Sequence, residues 1–234
     1  MTRKVILAIT TSIISLSSSA GQLYLGLGVG PDYAKFQENS QVQQIHNFRL
    51  NFNVKNDAQL SGTGIFGTIF AGYGSRFKLP LTTYPNESAY LAIELNANIS
   101  SLQHKTKNDE FVHASFTSTK FRMQHEYGAS IVPGFFYQDA TLFYGRLGYA
   151  RNNLKVVTND ISLQNINHQV NGFRWGLGIR QSLSARVAMR VEYNHVGYRS
   201  VRMSTLDVLS NTSKITHITP QTNEVEFGLM YLFG

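Results

Sequence analysis

Beyond residue 20 the apolar residues of this chain keep falling at every second position, and they never fill a helix-length run. A helix repeats every 3.6 residues and a strand every two, so this spacing builds strands with one apolar and one polar face. Eight segments carry it. Leu23, Leu25, Leu27 and Val29 alternate with Tyr24, Gly26, Gly28 and Gly30. Ile65, Ile69, Ala71 and Tyr73 alternate with Phe66, Thr68, Phe70 and Gly72, and Leu91 to Ile99 with Glu94, Asn96 and Asn98. Phe121, Met123, Tyr127, Ala129, Ile131 and Phe135 are read as one face, opposite Arg122, Gln124, Glu126, Gly128 and Ser130. Phe143, Leu147 and Tyr149 oppose Tyr144, Arg146 and Gly148, while Phe173, Trp175, Leu177 and Ile179 oppose Arg174, Gly176, Gly178 and Arg180. Val187, Met189, Val191 and Tyr193 oppose Arg190, Glu192 and Asn194, and Val225 to Phe233 oppose Glu226, Gly228 and Met230.

Each segment is about ten residues long, enough to cross a bilayer at a tilt. Only helices and closed barrels satisfy every backbone group in lipid, so a membrane protein of this pattern is a closed β-barrel. A soluble eight-stranded protein would turn the apolar faces inward and show a glycine-rich face to water, a poor surface. Aromatics near the ends of the apolar faces (Phe121, Phe135, Tyr149, Phe173, Tyr231, Phe233) fit girdles at the membrane interfaces. The predicted fold class is all-β: an eight-stranded antiparallel up-and-down transmembrane β-barrel.

The start of the chain reads as an address. Arg3 and Lys4 precede a charge-free, mostly apolar run to Leu16, followed by Ser18, Ser19 and Ala20. That layout predicts a secretory signal peptide over residues 1–20 and a barrel domain over 21–234; the apolar run is too short for a membrane-spanning helix. Charged residues make up 15% of the chain and aromatic residues 12%, which excludes both disorder and coiled coil. The absence of cysteine excludes disulfides, thiolate metal sites and a Cys nucleophile. Long connections are expected over residues 31–63, 101–120, 151–170 and 199–222, on the outer side. Short turns near Gln138 and Ser182, and a longer one over 76–87, face the periplasm. A ten-strand barrel stays open, because Phe48, Leu50, Phe52 and Val54 also alternate; they can instead extend the second strand.

Several segments carry a family resemblance. Met230-Tyr231-Leu232-Phe233-Gly234 closes an alternating strand with an aromatic next to last. Arg190-Val191-Glu192-Tyr193, Tyr144-Gly145-Arg146-Leu147-Gly148-Tyr149 and Phe70-Ala71-Gly72-Tyr73-Gly74 follow the same style. In this order along the chain they resemble small outer-membrane β-barrel proteins of the OmpA/OmpX and opacity-protein type. The resemblance covers the barrel only; it includes no peptidoglycan-binding domain, so no cell-wall tethering by that route is expected. It implies charges paired across the lumen. The inward set is Glu94, Glu126, Glu192 and Glu226 against Arg122, Arg146, Arg174, Arg180 and Arg190. Near-balance suggests an ion-paired plug, because buried charges are costly unless paired.

Catalytic signals are weak. His113-Ala114-Ser115 has a spacing similar to that of outer-membrane lipid A deacylases, but no acid shares its face. His195 lies on an outer face, with Gly197 where that pattern would place Ser; His125 and Glu126 face opposite sides. No close histidine pair has metal-ligand spacing, and no cofactor is expected. The basic residues are dispersed, so the net charge of +7 points to anionic lipid and lipopolysaccharide headgroups rather than nucleic acid. The leading expectation is a structural or adhesion-type surface protein that meets host or envelope molecules through its outer loops. A narrow, weakly anion-favouring channel, suggested by the extra inward Arg, and a lipid-modifying enzyme are the alternatives.

Overall fold

The computed structural model describes residues 21–44, 53–78, 88–112, 115–158, 165–207 and 212–233. They form ten strands: β1 Gln22–Gln44, β2 Asn53–Lys78, β3 Ser88–Ser100, β4 Gln103–Val112, β5 Ser115–Tyr137, β6 Thr141–Thr158, β7 Ile166–Ser182, β8 Val187–Tyr198, β9 Val201–Asp207 and β10 Thr212–Phe233. Two of these are continuations rather than extra staves. β3 and β4 pair in succession with β5, and β8 and β9 in succession with β10. The barrel therefore has eight antiparallel staves, closed by pairing of β1 with β10.

The register fixes the barrel's proportions. Tyr24 pairs with Gly72, and the ladder runs on through Glu94, Ser130, Gly148, Arg174, Val196 and Thr222. It re-enters β1 at Ala34, ten residues beyond its start. For eight staves that stagger tilts the strands by roughly 40° and leaves an interior that side chains fill. Leu23, Leu25, Leu27, Val29, Ile69, Leu95, Ile131, Leu177 and Leu229 are exposed on the outer wall, the belt that faces lipid. Short turns at 138–140 and 183–186 lie at one end together with residues 21 and 233. Gln138 and Asp139 have φ of 51° and 56°, which closes the first turn tightly. Arg76 reaches that turn from β2, pairing with Asp139 at 3.4 Å while its guanidinium lies 3.4 Å over the Phe136 ring.

The segments expected to be long loops are mostly strand. β1 and β2 stay paired to Gln43 and Asn53, and β6 and β7 to Val156 and Ile166. At 23 residues, β1 runs about 75 Å along its axis, far more than a bilayer requires. Above the lipid the outer face no longer needs apolar residues. The period-two hydrophobic signal fades there while the ladder continues. Val54 belongs to β2, and the wall has eight staves; Phe48, Leu50 and Phe52 lie outside the described residues, as does most of the 76–87 turn.

One face assignment is corrected. Phe121 and Met123 are buried inside, with Phe36 stacked on Phe121 at 5.3 Å, whereas Tyr127, Ile131 and Phe135 are exposed outside. A β-bulge between Met123 and Glu126 inserts a residue and swaps the faces across it. Arg122, expected in the lumen, consequently lies on the outer wall.

Candidate functional site: a layered lumen

Inward side chains stack in layers along the barrel axis. At the end with the short turns, Tyr24, Phe70, Tyr90, Val132, Phe136, Leu142, Tyr144 and Met230 form a buried apolar layer. At the other end Phe36, Leu102, Phe121, Met123, Leu154, Val156, Val196 and Ile218 form a second one. Charged residues occupy the space between.

Glu94, Arg146, Arg190, Glu192 and Glu226 form one network. Arg146 Nη2 donates to Glu94 Oε1 at 2.6 Å, and Arg190 Nη1 donates to both Glu94 oxygens at 2.9 and 3.0 Å. Arg190 also grips Glu226 with two bonds, Nε to Oε1 at 2.8 Å and Nη2 to Oε2 at 3.1 Å. Its guanidinium lies 3.3 Å over the Phe70 ring. Arg146 Nη2 reaches Glu192 Oε2 at 3.0 Å, and its Nε lies 2.7 Å from Oε1 in charge contact without hydrogen-bond alignment. Tyr24 donates to Glu94 at 2.8 Å and Tyr144 to Glu192 at 2.6 Å. Arg146 and Glu192 are each 1% exposed, so these charges meet one another and not water.

A second network sits toward the far end. Arg174 pairs with Glu126, and its Nη1 donates to Asn96 Oδ1 at 2.6 Å. Tyr198 also donates to Glu126, and Asn98 Nδ2 does so at 2.9 Å. Arg180 stands apart from both. It lies among three tyrosines, bonded to the Tyr90 hydroxyl at 3.1 Å and facing the rings of Tyr24 and Tyr144 at 4.8 and 5.9 Å. A guanidinium over aromatic faces gains cation–π attraction in place of a carboxylate partner.

Two lumen acids escaped the sequence reading. Asp32 and Glu224 are buried, directly opposed in the β1–β10 ladder, and Ser100 donates to Asp32. Parity would have found both: Asp32 follows Gly30 by two residues, and Glu224 precedes Glu226 by two. With them the fully buried lumen residues include six acids and four arginines. The surplus of inward arginine behind the anion-favouring alternative is therefore gone, since Arg122 points outward.

Several glycines of the inner face are slots for these side chains. A Cβ on Gly28 would fall 2.5 Å from Glu226 Oε1, one on Gly72 2.3 Å from Tyr24 Cζ, and one on Gly178 2.4 Å from Tyr144 Cζ. Glycine on this face thus makes room for a ring or carboxylate from the neighbouring strand.

On the outer wall His195 Nδ1 lies 2.9 Å from Asn223 Oδ1, which also accepts from the Tyr193 hydroxyl at 2.7 Å. Beside His195 Nε2, at 4.0 Å from where a Cβ would sit, position 197 is glycine, so this imidazole has no hydroxyl two residues along its strand. His113, of the His113-Ala114-Ser115 triplet, lies outside the described residues.

The family model described as outer membrane protein beta-barrel domain matches residues 5–233. No curated protein matches the chain. Among solved structures, it is similar to the attachment invasion locus protein Ail of Yersinia pestis in complex with the heparin analogue sucrose octasulfate. That pair shares 13% identity over 92% of this chain and 100% of that one, with a TM-score of 0.35. It is also similar to the outer membrane protease OmpT of Escherichia coli, at 12% identity over 94% and 99% of the two chains and a TM-score of 0.45. Neisserial surface protein A matches at 12% identity over 92% and 100%, with a TM-score of 0.39.

Proposed function

The chain belongs to the outer membrane protein beta-barrel domain family, and from that premise we propose that it is a sealed, non-conducting surface barrel. Its work is done by the β-ribbons that stand above the outer leaflet. The observation that carries this is the lumen: a buried ion-paired layer lies between two apolar layers. An ion crossing it would have to shed water in the apolar layers and break charge pairs between them, both costly steps. A rigid wall closed in this way serves as a scaffold for envelope integrity or for adhesion to host or envelope molecules through the ribbons. Its lipid-facing belt and outer-wall charges would meet outer-membrane lipid and lipopolysaccharide.

Planar-bilayer recording of the refolded 21–234 chain is expected to give no steady current. Steady, voltage-tolerant conductance would overturn the proposal and put the channel first. The export address over residues 1–20 is part of the same reading. Expression of the full chain in a Gram-negative host is expected to yield outer-membrane protein whose N-terminal sequence starts at Gly21. Protein that starts at Met1 in the cytoplasm would count against it.

A further inference from the structure

The acidic side chains described within the staves all point into the barrel or lie at its ends. The outer wall toward the ribbon end is different: its described charged side chains are bases. They include Lys35, Arg151 and Arg199, and a tight group on three adjacent strands. In that group Lys105 of β4 stands directly opposite Lys120 of β5, and Arg122, two residues on, stands directly opposite Lys155 of β6. Directly opposed like charges destabilise a sheet. Two such pairs share one face here, framed by the neutral Gln103 and Asn167, the cross-strand neighbours of Arg122 and Lys155. Among the described residues no carboxylate pairs with any of the four. A polyanion bridging them would turn the repulsion into attraction.

Height and direction select the polyanion. Lys155 lies six residues beyond Tyr149 of the aromatic belt on β6. With a rise of about 3.3 Å per residue and a tilt of roughly 40°, that places it ~15 Å above the belt. Phospholipid headgroups extend only about 5–8 Å beyond the hydrocarbon. The wall also looks sideways, along the membrane surface, toward molecules anchored in the same leaflet. We propose that Lys105, Lys120, Arg122 and Lys155 form a binding site for the phosphorylated carbohydrate head of a glycolipid of the outer leaflet, with Arg151 lower on β6 reaching phosphates nearer the bilayer. The proposal rests on the surface-barrel reading only in placing the ribbon end outside the cell.

The test is retention of purified lipopolysaccharide with a phosphorylated core by the folded chain in detergent micelles, with folding checked by heat-modifiable gel mobility. Wild type is expected to retain it. Lys120→Gln with Arg122→Gln should retain it about tenfold more weakly, and Arg186→Gln in the opposite turn as wild type does. Dephosphorylated lipopolysaccharide should bind wild type as weakly as the intact form binds the double variant. If the double variant fails to fold, Lys155→Gln, an exposed position, takes its place with a smaller loss in the same direction. Equal retention of the two lipopolysaccharides, or by all variants, would overturn the site. So would a heparin-type oligosaccharide or phosphatidylglycerol showing the variant-dependent loss when lipopolysaccharide does not. A conducting barrel would sink the sealed-lumen reading and leave this result untouched.

Discussion

Replacing Arg190 by Met is expected to lower the unfolding free energy of the barrel by about 3–5 kcal/mol, the usual cost of stripping one partner from a buried charge pair. Among the described residues Arg190 is the one cation bonded to Glu226, and it shares Glu94 with Arg146. Without it, three carboxylates would face the single guanidinium of Arg146. Met fills a similar volume, so the loss reports charge more than cavity. Adding Glu226→Gln should restore part of the stability, because it removes the carboxylate left alone; residues in one network couple in this way. Urea unfolding in micelles, followed by gel mobility, measures both. An unchanged midpoint for Arg190→Met, or a double variant worse than the sum of the singles, would show that the layer is not held by these bonds.

Gly30→Ala is expected to be the most damaging single methyl in the wall. Its Cβ would fall 1.7 Å from the carbonyl oxygen of Val225, a backbone atom of the closing strand β10. No rotamer relieves such a contact; the seam itself must shift. Overpacking costs about 1–3 kcal/mol and occasionally more, and a backbone clash belongs at the upper end. Gly67→Ala and Gly145→Ala provide the comparison. They face outward, and their Cβ atoms would meet nothing nearer than 4.0 and 3.9 Å. Both are expected to fold within about 0.5 kcal/mol of wild type. Equal behaviour of all three in the same assay would refute the steric account.

These two sites show how far the sequence could be read. The lipid-facing half of the wall was legible because lipid enforces strict alternation: Leu23 to Val29 and Val225 to Phe233 needed only a period of two. Glu94, Glu126, Arg146, Arg174, Arg180, Arg190, Glu192 and Glu226 could be placed by the same parity. Their partners could not, because a pairing such as Arg190 with Glu94 depends on stagger around the barrel, which no local pattern records. Parity alone misplaces Arg122, because a bulge between Met123 and Glu126 leaves no mark in composition. Asp32 and Glu224 were missed where the apolar face ends. The ribbons read as loops in the sequence for a related reason: above the lipid, pairing persists after hydrophobicity has stopped reporting it.

The pairing of β1 with β10 joins residues some two hundred positions apart along nearly the whole of both strands. Until the final strand arrives, the first one presents a long row of unsatisfied donors and acceptors, open to any other strand in reach. Contacts of such sequence separation are slow to form, because the intervening chain must be gathered first. Closure is thus a late event, and β1 gains its second neighbour only when β10 is in place. The same seam that leaves the finished wall without an edge leaves the unfinished chain with one, a template for pairing with other chains until β10 docks.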